Sequence, residues 1–311
     1  MRFSIIIPTY NEERDIAATL EALLGLDYPD REILVVDDSS DRTPEIVGGY
    51  ARQGVRLIHP GGGGRCEARN LGIREASGEV VVLLNADVGL PADFLRRLAY
   101  HYQNGADYVL VDAKVANRQF LFPRYIHCVS EVFYSRAVDC NFANMDWTEG
   151  FSCRWETALK AGLFPTGFPL PISAGEDRFF GRGLHRIGAK KVIDLGLEVA
   201  QVAPASFREY WRNRQGRGAG AAQVQRFLDC WPWWKILLGN GLKTAKTLVW
   251  LITVAPGLWP CLQAVRHSDR GLKDLGPFFY AYAVEQLAAL LGQWQATFAI
   301  MKKERLRSAL R

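Results

Sequence analysis

The stretch VVLLNADVGL, Val81 to Leu90, reads as a buried strand that ends on two polar residues, Asn85 and Asp87. A carboxylate at the carboxyl tip of a strand in an α/β sheet lies where such sheets bind ligands. The Asn-Ala-Asp tripeptide, with Ala86 at its centre, is also a common turn signal, because Asn and Asp bond to their own backbone. The neighbouring sequence decides between the two. RFSIIIPTY, Arg2 to Tyr10, is a short β-branched run, and Ile16, Leu20, Leu23 and Leu24 follow at helical spacing. REILVVDDSS is a second strand, closed by Asp37, Asp38 and Ser39, with Ser40 or Asp41 placed to cap a helix through Ile46 and Tyr50. GVRLIHP is a third strand; a run of glycines, a helix from Ala68 to Ala76 and the strand EVVVLLNAD complete the pattern. Near-continuous apolar strands alternating with helices predict an α/β fold with a doubly wound, mainly parallel sheet. The tips Pro8–Asn11, Asp37–Ser39 and Asn85–Asp87 then open on one crevice.

The chain has 311 residues, enough for one large or two small domains with a sizeable core. Its formal net charge of +5 is mild. It suits an anionic substrate or lipid headgroups and gives no case for nucleic acid. Cys66, Cys128, Cys140, Cys153, Cys230 and Cys261 form no Cys-x-x-Cys pair, and the histidines form no ligand pair. Reduced, mostly buried thiols and no zinc site are expected. Met1 leads almost directly into the first strand, so no secretory signal is expected.

Four blocks carry a family resemblance: SIIIPTYNEE from Ser4, ILVVDDSSDRT from Ile33, GGGRCEARNLGIREASGEVVVLLNAD from Gly62, and GEDRFFGRGLHRIGAK from Gly175. Over about residues 4–195 they stand in the order found in family 2 glycosyltransferases with the GT-A fold, and the chain resembles that family. The resemblance implies inverting transfer of a sugar from a nucleotide diphosphate donor of the UDP or GDP type. It implies that Pro8, Thr9, Tyr10 and Glu12 wall the donor site, that Asp38 accepts from a base N–H, and that Asp37 holds the ribose or the loop. Arg65, Arg69 and Asn70, after Gly61–Gly64, are matched to the diphosphate side, and Asn85 and Ala86 to the ribose or phosphate. Asp177 is matched to the catalytic base, with Glu176 supporting it or the acceptor; Trp147, Glu149 and Gly150 precede the acceptor block. Arg214 and Arg217, with Arg212, lie where related enzymes place a mobile basic loop, a headgroup-facing patch being the alternative.

A diphosphate leaving group needs its charge neutralised, and hard oxygen ligands suit Mg2+ or Mn2+. Asp87 is the candidate metal ligand. Asn85 departs from the family, whose motif usually begins with Asp. Structural readings stand beside these: Asp87 as a turn residue, the glycines as a flexible connection, and Gly175-Glu176-Asp177 as a helix start favoured by its acidic residues.

Beyond Ala200 the composition changes. SFREYWRNRQGRG is basic and aromatic, and CWPWW gathers Trp231, Trp233 and Trp234. Thr247 to Val265 carries no charge but contains Pro256, Gly257 and Pro260, and Leu275 to Met301 is apolar apart from Glu285 and a few glutamines. The sequence therefore predicts a glycosyltransferase domain over 1–200, nucleotide-sugar binding to about 110 and acceptor binding beyond. A basic loop or linker over 201–230 and an apolar helical segment over 231–311 follow. That last segment is expected to contact the cytoplasmic face of the cell membrane, as interfacial helices or a spanning hairpin, with a soluble helical subdomain as the alternative. The expected reaction is metal-dependent transfer to a hydroxyl acceptor, a lipid-linked or membrane-surface glycan. A polyprenyl phosphate acceptor, which needs no base, would instead draw on Arg118, Arg124 and Arg136. Asn85 keeps open a catalytically silent nucleotide-sugar-binding membrane protein. A sugar-1-phosphate nucleotidyltransferase is disfavoured, since PTYNEERD lacks its glycine-rich basic loop.

Overall fold

The computed structural model describes residues 1–139 and 147–309. Along the chain run β1 (Phe3–Thr9), α1 (Ile16–Leu24), β2 (Arg31–Asp37), α2 (Thr43–Gly48), β3 (Val55–Ile58), α3 (Gly64–Glu75), β4 (Val80–Leu83), β5 (Val88–Gly89), α4 (Phe94–Gln103) and β6 (Tyr108–Val115). They are followed by α5 (Leu121–Asp139), β7 (Phe151–Arg154), α6 (Trp155–Ala161), α7 (Glu176–Arg186), β8 (Lys191–Gln201), α8 (Phe207–Gln223), α9 (Trp233–Thr253), α10 (Ala255–Val265) and α11 (Leu275–Ala309). The chain forms two compact units: Met1–Lys114, Ala143–Gly167 and Glu176–Gln201 make the first; Val115–Phe142, Phe168–Gly175 and Val202–Arg311 make the second.

The first unit is built on one eight-stranded sheet in the order β3-β2-β1-β4-β7-β6-β8-β5. β1, β2, β3 and β4 pair in parallel, as the strand–helix alternation predicts. β7 then enters antiparallel to both β4 and β6, and β5 runs antiparallel to β8, so the sheet is mixed beyond β4. Helices on both faces explain the unbroken apolar runs: Ile5, Ile6, Ile7 and Val80 to Val82 are fully buried. On one face Ile5 and Ile7 join Ile16, Leu20 and Leu23 of α1 in the main core. On the other, α3 packs so close that a Cβ at Gly72 would collide with the Ile6 side chain.

The second unit is helical. α8 opens with a capping box, Ser206 Oγ accepting from the Glu209 N–H while Glu209 reaches back to the cap. Residues 201–230, read above as a basic loop or linker, thus carry a helix and a π turn over Val224–Leu228. Glycines in α8 and α11 serve close packing between the two helices. A Cβ at Gly218 would strike the Ala289 carbonyl of α11, and one at Gly292 the Gln215 carbonyl of α8. Phe122 and Tyr125 of α5 pack with Tyr210, Cys261 and Phe278 in this unit's own core. The uncharged run Thr247–Val265 is broken between α9 and α10 at Val254, whose φ is 62°. Among the described residues no helix is long and apolar enough to cross a membrane, so the expectation of a spanning hairpin is not met. Cys66, Cys128, Cys153 and Cys261 are buried free thiols, Cys230 is exposed, and Cys140 lies outside the described residues.

Candidate active site

The tips of β1 and β2 are laced together. The strands align Thr9 with Asp37, and the buried Asp37 carboxylate accepts from Thr9 Oγ1 at 2.7 Å and Ser39 Oγ at 2.5 Å. Asn11 adopts a left-handed φ of 59°; its N–H donates to Ser39 Oγ at 2.7 Å, and its side-chain oxygen accepts from the Ser40 N–H at 3.0 Å. The Glu12 N–H donates to Thr43 Oγ1 at 2.9 Å. Asp37 and Thr9 are thereby engaged in bracing the wall. Asp38 and Tyr10 remain exposed upon it.

Gly61, Gly62, Gly63 and Gly64 all take left-handed φ values, from 72° to 101°, which side chains with a Cβ avoid. This turn delivers the chain to the N-terminus of α3, where unpaired N–H groups and the helix dipole favour an anion. Arg65, half-exposed in the first turn, adds positive charge.

Asp87 follows β4. Thr19 Oγ1 donates to the Ala86 carbonyl and Ala86 is buried in the core, which fixes the residues on either side. Asp87 Oδ1 is buried with no hydrogen-bond partner, and burial, reinforced by Asp15 and Glu149, pushes this carboxyl up to about 6. Burial and the charge of Asp87 likewise push Glu12 up to about 7, while Arg65 opposes both shifts. Among the described residues no three His, Cys, Asp or Glu side chains assemble a ready-made metal cage. An orphaned buried oxygen among like charges still fits a divalent cation completed by substrate oxygens.

The head of α7 separates two adjacent carboxylates. Glu176 is buried and accepts from Arg69 Nη1 at 2.8 Å, with Arg65 at 3.8 Å. Burial alone would raise its pKa, but Arg69 and Arg65 hold it below the usual carboxylate value. Asp177 has no such partner. It accepts from the Arg178 N–H at 2.8 Å, and burial together with Glu176 raises it to about 6. A carboxylate tuned in that direction suits a general base working near neutral pH.

Arg69 and Asn70, expected beside the diphosphate, face the interior instead; each is only 1% exposed. Besides Glu176, Arg69 donates to Thr148 Oγ1 at 3.1 Å, and its guanidinium lies 5.1 Å from the Phe164 ring centre. Asn70 grips the Phe164 backbone at both N–H and C=O, each at 2.9 Å. A buried guanidinium and amide need partners, and these distant segments supply them to the Asn70 amide and to both Arg69 Nη atoms, leaving Arg69 Nε unpaired. The signal available in sequence was position: Cys66, Arg69, Asn70 and Ile73 share the buried face of α3. Trp147, which precedes the acceptor block, donates its indole N–H to the Val111 carbonyl at 2.8 Å.

Residues 4–149 match the family model described as glycosyl transferase family 2. The β-monoglucosyldiacylglycerol synthase of Synechocystis sp. is 34% identical in an alignment covering 96% of this chain and 67% of that protein. The chain belongs to glycosyltransferase family 2. The poly(ribitol-phosphate) β-N-acetylglucosaminyltransferase TarS of Staphylococcus aureus is 33% identical over 38% of this chain, and the match spans only 22% of that relative's length. The crystal structure of TarS 1–349 in complex with UDP-GlcNAc aligns at a TM-score of 0.55 and 17% identity, covering 95% of this chain and 92% of that one. The mannosyltransferase PcManGT of Pyrobaculum calidifontis, in complex with GDP-Man and Mn2+, aligns at 0.54 and 20% identity over 99% and 80%. These likenesses show the GT-A-type fold.

The arginines matched to the family's mobile basic loop, Arg212, Arg214 and Arg217, lie in the second unit, on the helix α8. Arg214 is buried, 3.4 Å from Glu285 Oε1 and with its guanidinium 4.8 Å from the Tyr210 ring centre, so it braces its own unit; Arg217 lies one turn further along. The family 2 chain also engages the arginines considered for a phosphate acceptor. Arg124 makes a twin bond to Asp274, at 2.8 and 3.0 Å, and Arg118 lies 3.1 Å from His127 Nε2. The Arg136 side chain lies outside the described residues.

Proposed function

We propose that the protein transfers a sugar, with inversion, from a UDP- or GDP-type donor to a hydroxyl on a lipid-linked or membrane-surface glycan at the cytoplasmic face of the membrane. The observation that carries this reading is the divided Glu176–Asp177 pair, one carboxylate neutralised by Arg69 and its neighbour, without an arginine of its own, raised by burial to about 6. Asp38 accepts from a base N–H and Tyr10 offers a ring to the base. The N–H groups at the head of α3, with Arg65, receive the diphosphate, and Asn85 bonds to ribose or phosphate. Asp87 would hold Mg2+ or Mn2+, which supplies charge neutralisation for the departing diphosphate. Asp177 takes the proton of the acceptor hydroxyl as its oxygen attacks the anomeric carbon from the face opposite the leaving group. Glu176, kept ionised by Arg69, positions Asp177 and raises its basicity. The complexes of TarS with UDP-GlcNAc and of PcManGT with GDP-Man and Mn2+ support the donor class. The diacylglycerol-type product named for the Synechocystis relative supports a lipid acceptor.

Nucleoside diphosphate release from a panel of UDP- and GDP-sugars with Mn2+, paired with calorimetric titration of UDP and GDP, tests the reading. One nucleotide should bind at least about tenfold more weakly to Asp38→Ala, the loss of a charge-assisted hydrogen bond. Equal binding to both proteins removes the base-binding role. Absence of release across the whole panel removes the enzymatic reading.

A further inference from the structure

α9 is amphipathic in the reverse sense from a water-soluble helix. Along the face it turns into its own unit stand Ile236, Asn240, Lys243, Thr244 and Thr247, mostly polar. These join a hydrogen-bonded network with α11. Asn240 donates to Thr297 Oγ1 at 3.0 Å and accepts from Gln293 at 2.6 Å; Lys243 donates to Gln293 at 2.7 Å; the Trp294 indole donates to Thr244 Oγ1 at 3.0 Å. The opposite stripe is apolar. Trp234, Leu238, Leu242, Val249 and Ile252, spaced by three, four or seven residues, are each more than half exposed, and Trp259 of α10 is 62% exposed.

A helix facing water places its polar residues outward. Polar groups satisfied inside and apolar ones turned outward are what a lipid environment demands. A contiguous exposed apolar face marks an interaction surface, and its charge selects the occupant. From Trp231 to Ser268 the chain carries no Asp or Glu, while Lys235, Lys246 and Arg266 are exposed. Lys235 Nζ lies 3.9 Å from the Trp231 ring centre and Lys246 Nζ 4.2 Å from that of Trp250. Cations beside indoles suit the headgroup level of an anionic leaflet. Trp233, expected to join this contact, is instead held by Glu304 at 3.2 Å and capped by the Arg226 guanidinium at 4.8 Å.

We propose that the outer face of α9 and α10 is an in-plane anchor, with Trp234, Leu238, Leu242, Val249, Ile252 and Trp259 seated at the headgroup–acyl boundary of an anionic bilayer. The anchor deepens the membrane-surface reading above, but its test needs neither donor nor acceptor. It therefore stands or falls apart from the transfer chemistry.

The full chain is sedimented with vesicles of phosphatidylcholine alone and of phosphatidylcholine mixed with phosphatidylglycerol. The parent protein should pellet with the mixed vesicles. L242E/I252E should lower the partition coefficient by about tenfold or more, with circular dichroism unchanged because both side chains are exposed. K235Q/K246Q should lose several-fold and no longer distinguish the two lipid mixtures. Unchanged pelleting of L242E/I252E overturns the anchor, and unchanged lipid preference of K235Q/K246Q overturns its anionic character. A parent protein that ignores vesicles and forms a dimer, with L242E/I252E monomeric, would assign the face to a second copy of the chain and also overturn the proposal.

Discussion

In the sheet unit, Ile5, Ile7, Leu20 and Val82 are wholly buried and polar side chains collect at the strand tips; around α9, Asn240, Gln293 and Thr297 are buried while Leu242 and Ile252 face outward. The same rule governs both regions, since buried polar groups must be paired and apolar surface is driven from water. What differs is the medium each outer surface fits. In the sheet unit, the buried Arg69 and Glu176 hold each other by charge. Around α9 amides and hydroxyls hold one another, joined by the ammonium of Lys243.

The contrast can be broken most sharply at Arg69. Arg69→Ala leaves the buried Glu176 with only the more distant, half-exposed Arg65 and should cost about 3–5 kcal/mol in urea unfolding. A loss under about 1 kcal/mol would show that the pair is solvated. Leu20→Ala, in the fully buried face of α1, should cost about 2–5 kcal/mol. Asn240→Ala strands Gln293 and Thr297 and should cost about 1–3 kcal/mol; a gain in stability would mean that its network is dispensable. Leu242→Ala, at a residue 64% exposed, should change stability in buffer by no more than about 0.5 kcal/mol. Two leucines on helices of one chain should thus differ severalfold, and equal losses would abolish the distinction between the regions.

The pattern of β1, β2 and β4 was legible because each is covered on both faces and reads as a nearly continuous apolar run, while β3, with Arg56 exposed, was legible from its place in the alternation. β5, two residues long, and β7, whose partners β4 and β6 lie far away in sequence, leave no such local trace. α8 was hidden by its basic, aromatic composition, which read as a loop; its Gly218 sits against the Ala289 carbonyl of α11, a contact with no local trace. Asp38, Asp87 and Asp177 were legible as carboxylates at strand tips or in a family block. The inward turn of Arg69 was not, because Thr148, Phe164 and Glu176 that hold it are distant along the chain. The inverted face of α9 was equally hidden, as Asn240 and Thr244 become interior only through Gln293, Trp294 and Thr297.

In the proposed role, Asp177 would link stability to turnover through pH. Its folded pKa of about 6 lies above the ordinary carboxylate value, so the native state binds more protons than the unfolded chain between the two. Stability contributed by this group therefore falls as pH rises through that window, and Asp87 and Glu12, shifted upward as well, act in the same direction. Turnover by the proposed base should rise over the same window, and Asp177→Asn should remove its part of that rise.

The measurement that tests the account most directly is turnover of Asp177→Asn at saturating donor and Mn2+, beside calorimetric donor affinity. The account predicts a fall in kcat of about 10²–10⁴-fold with donor affinity nearly unchanged. Turnover close to that of the parent protein would contradict it and remove Asp177 as the base.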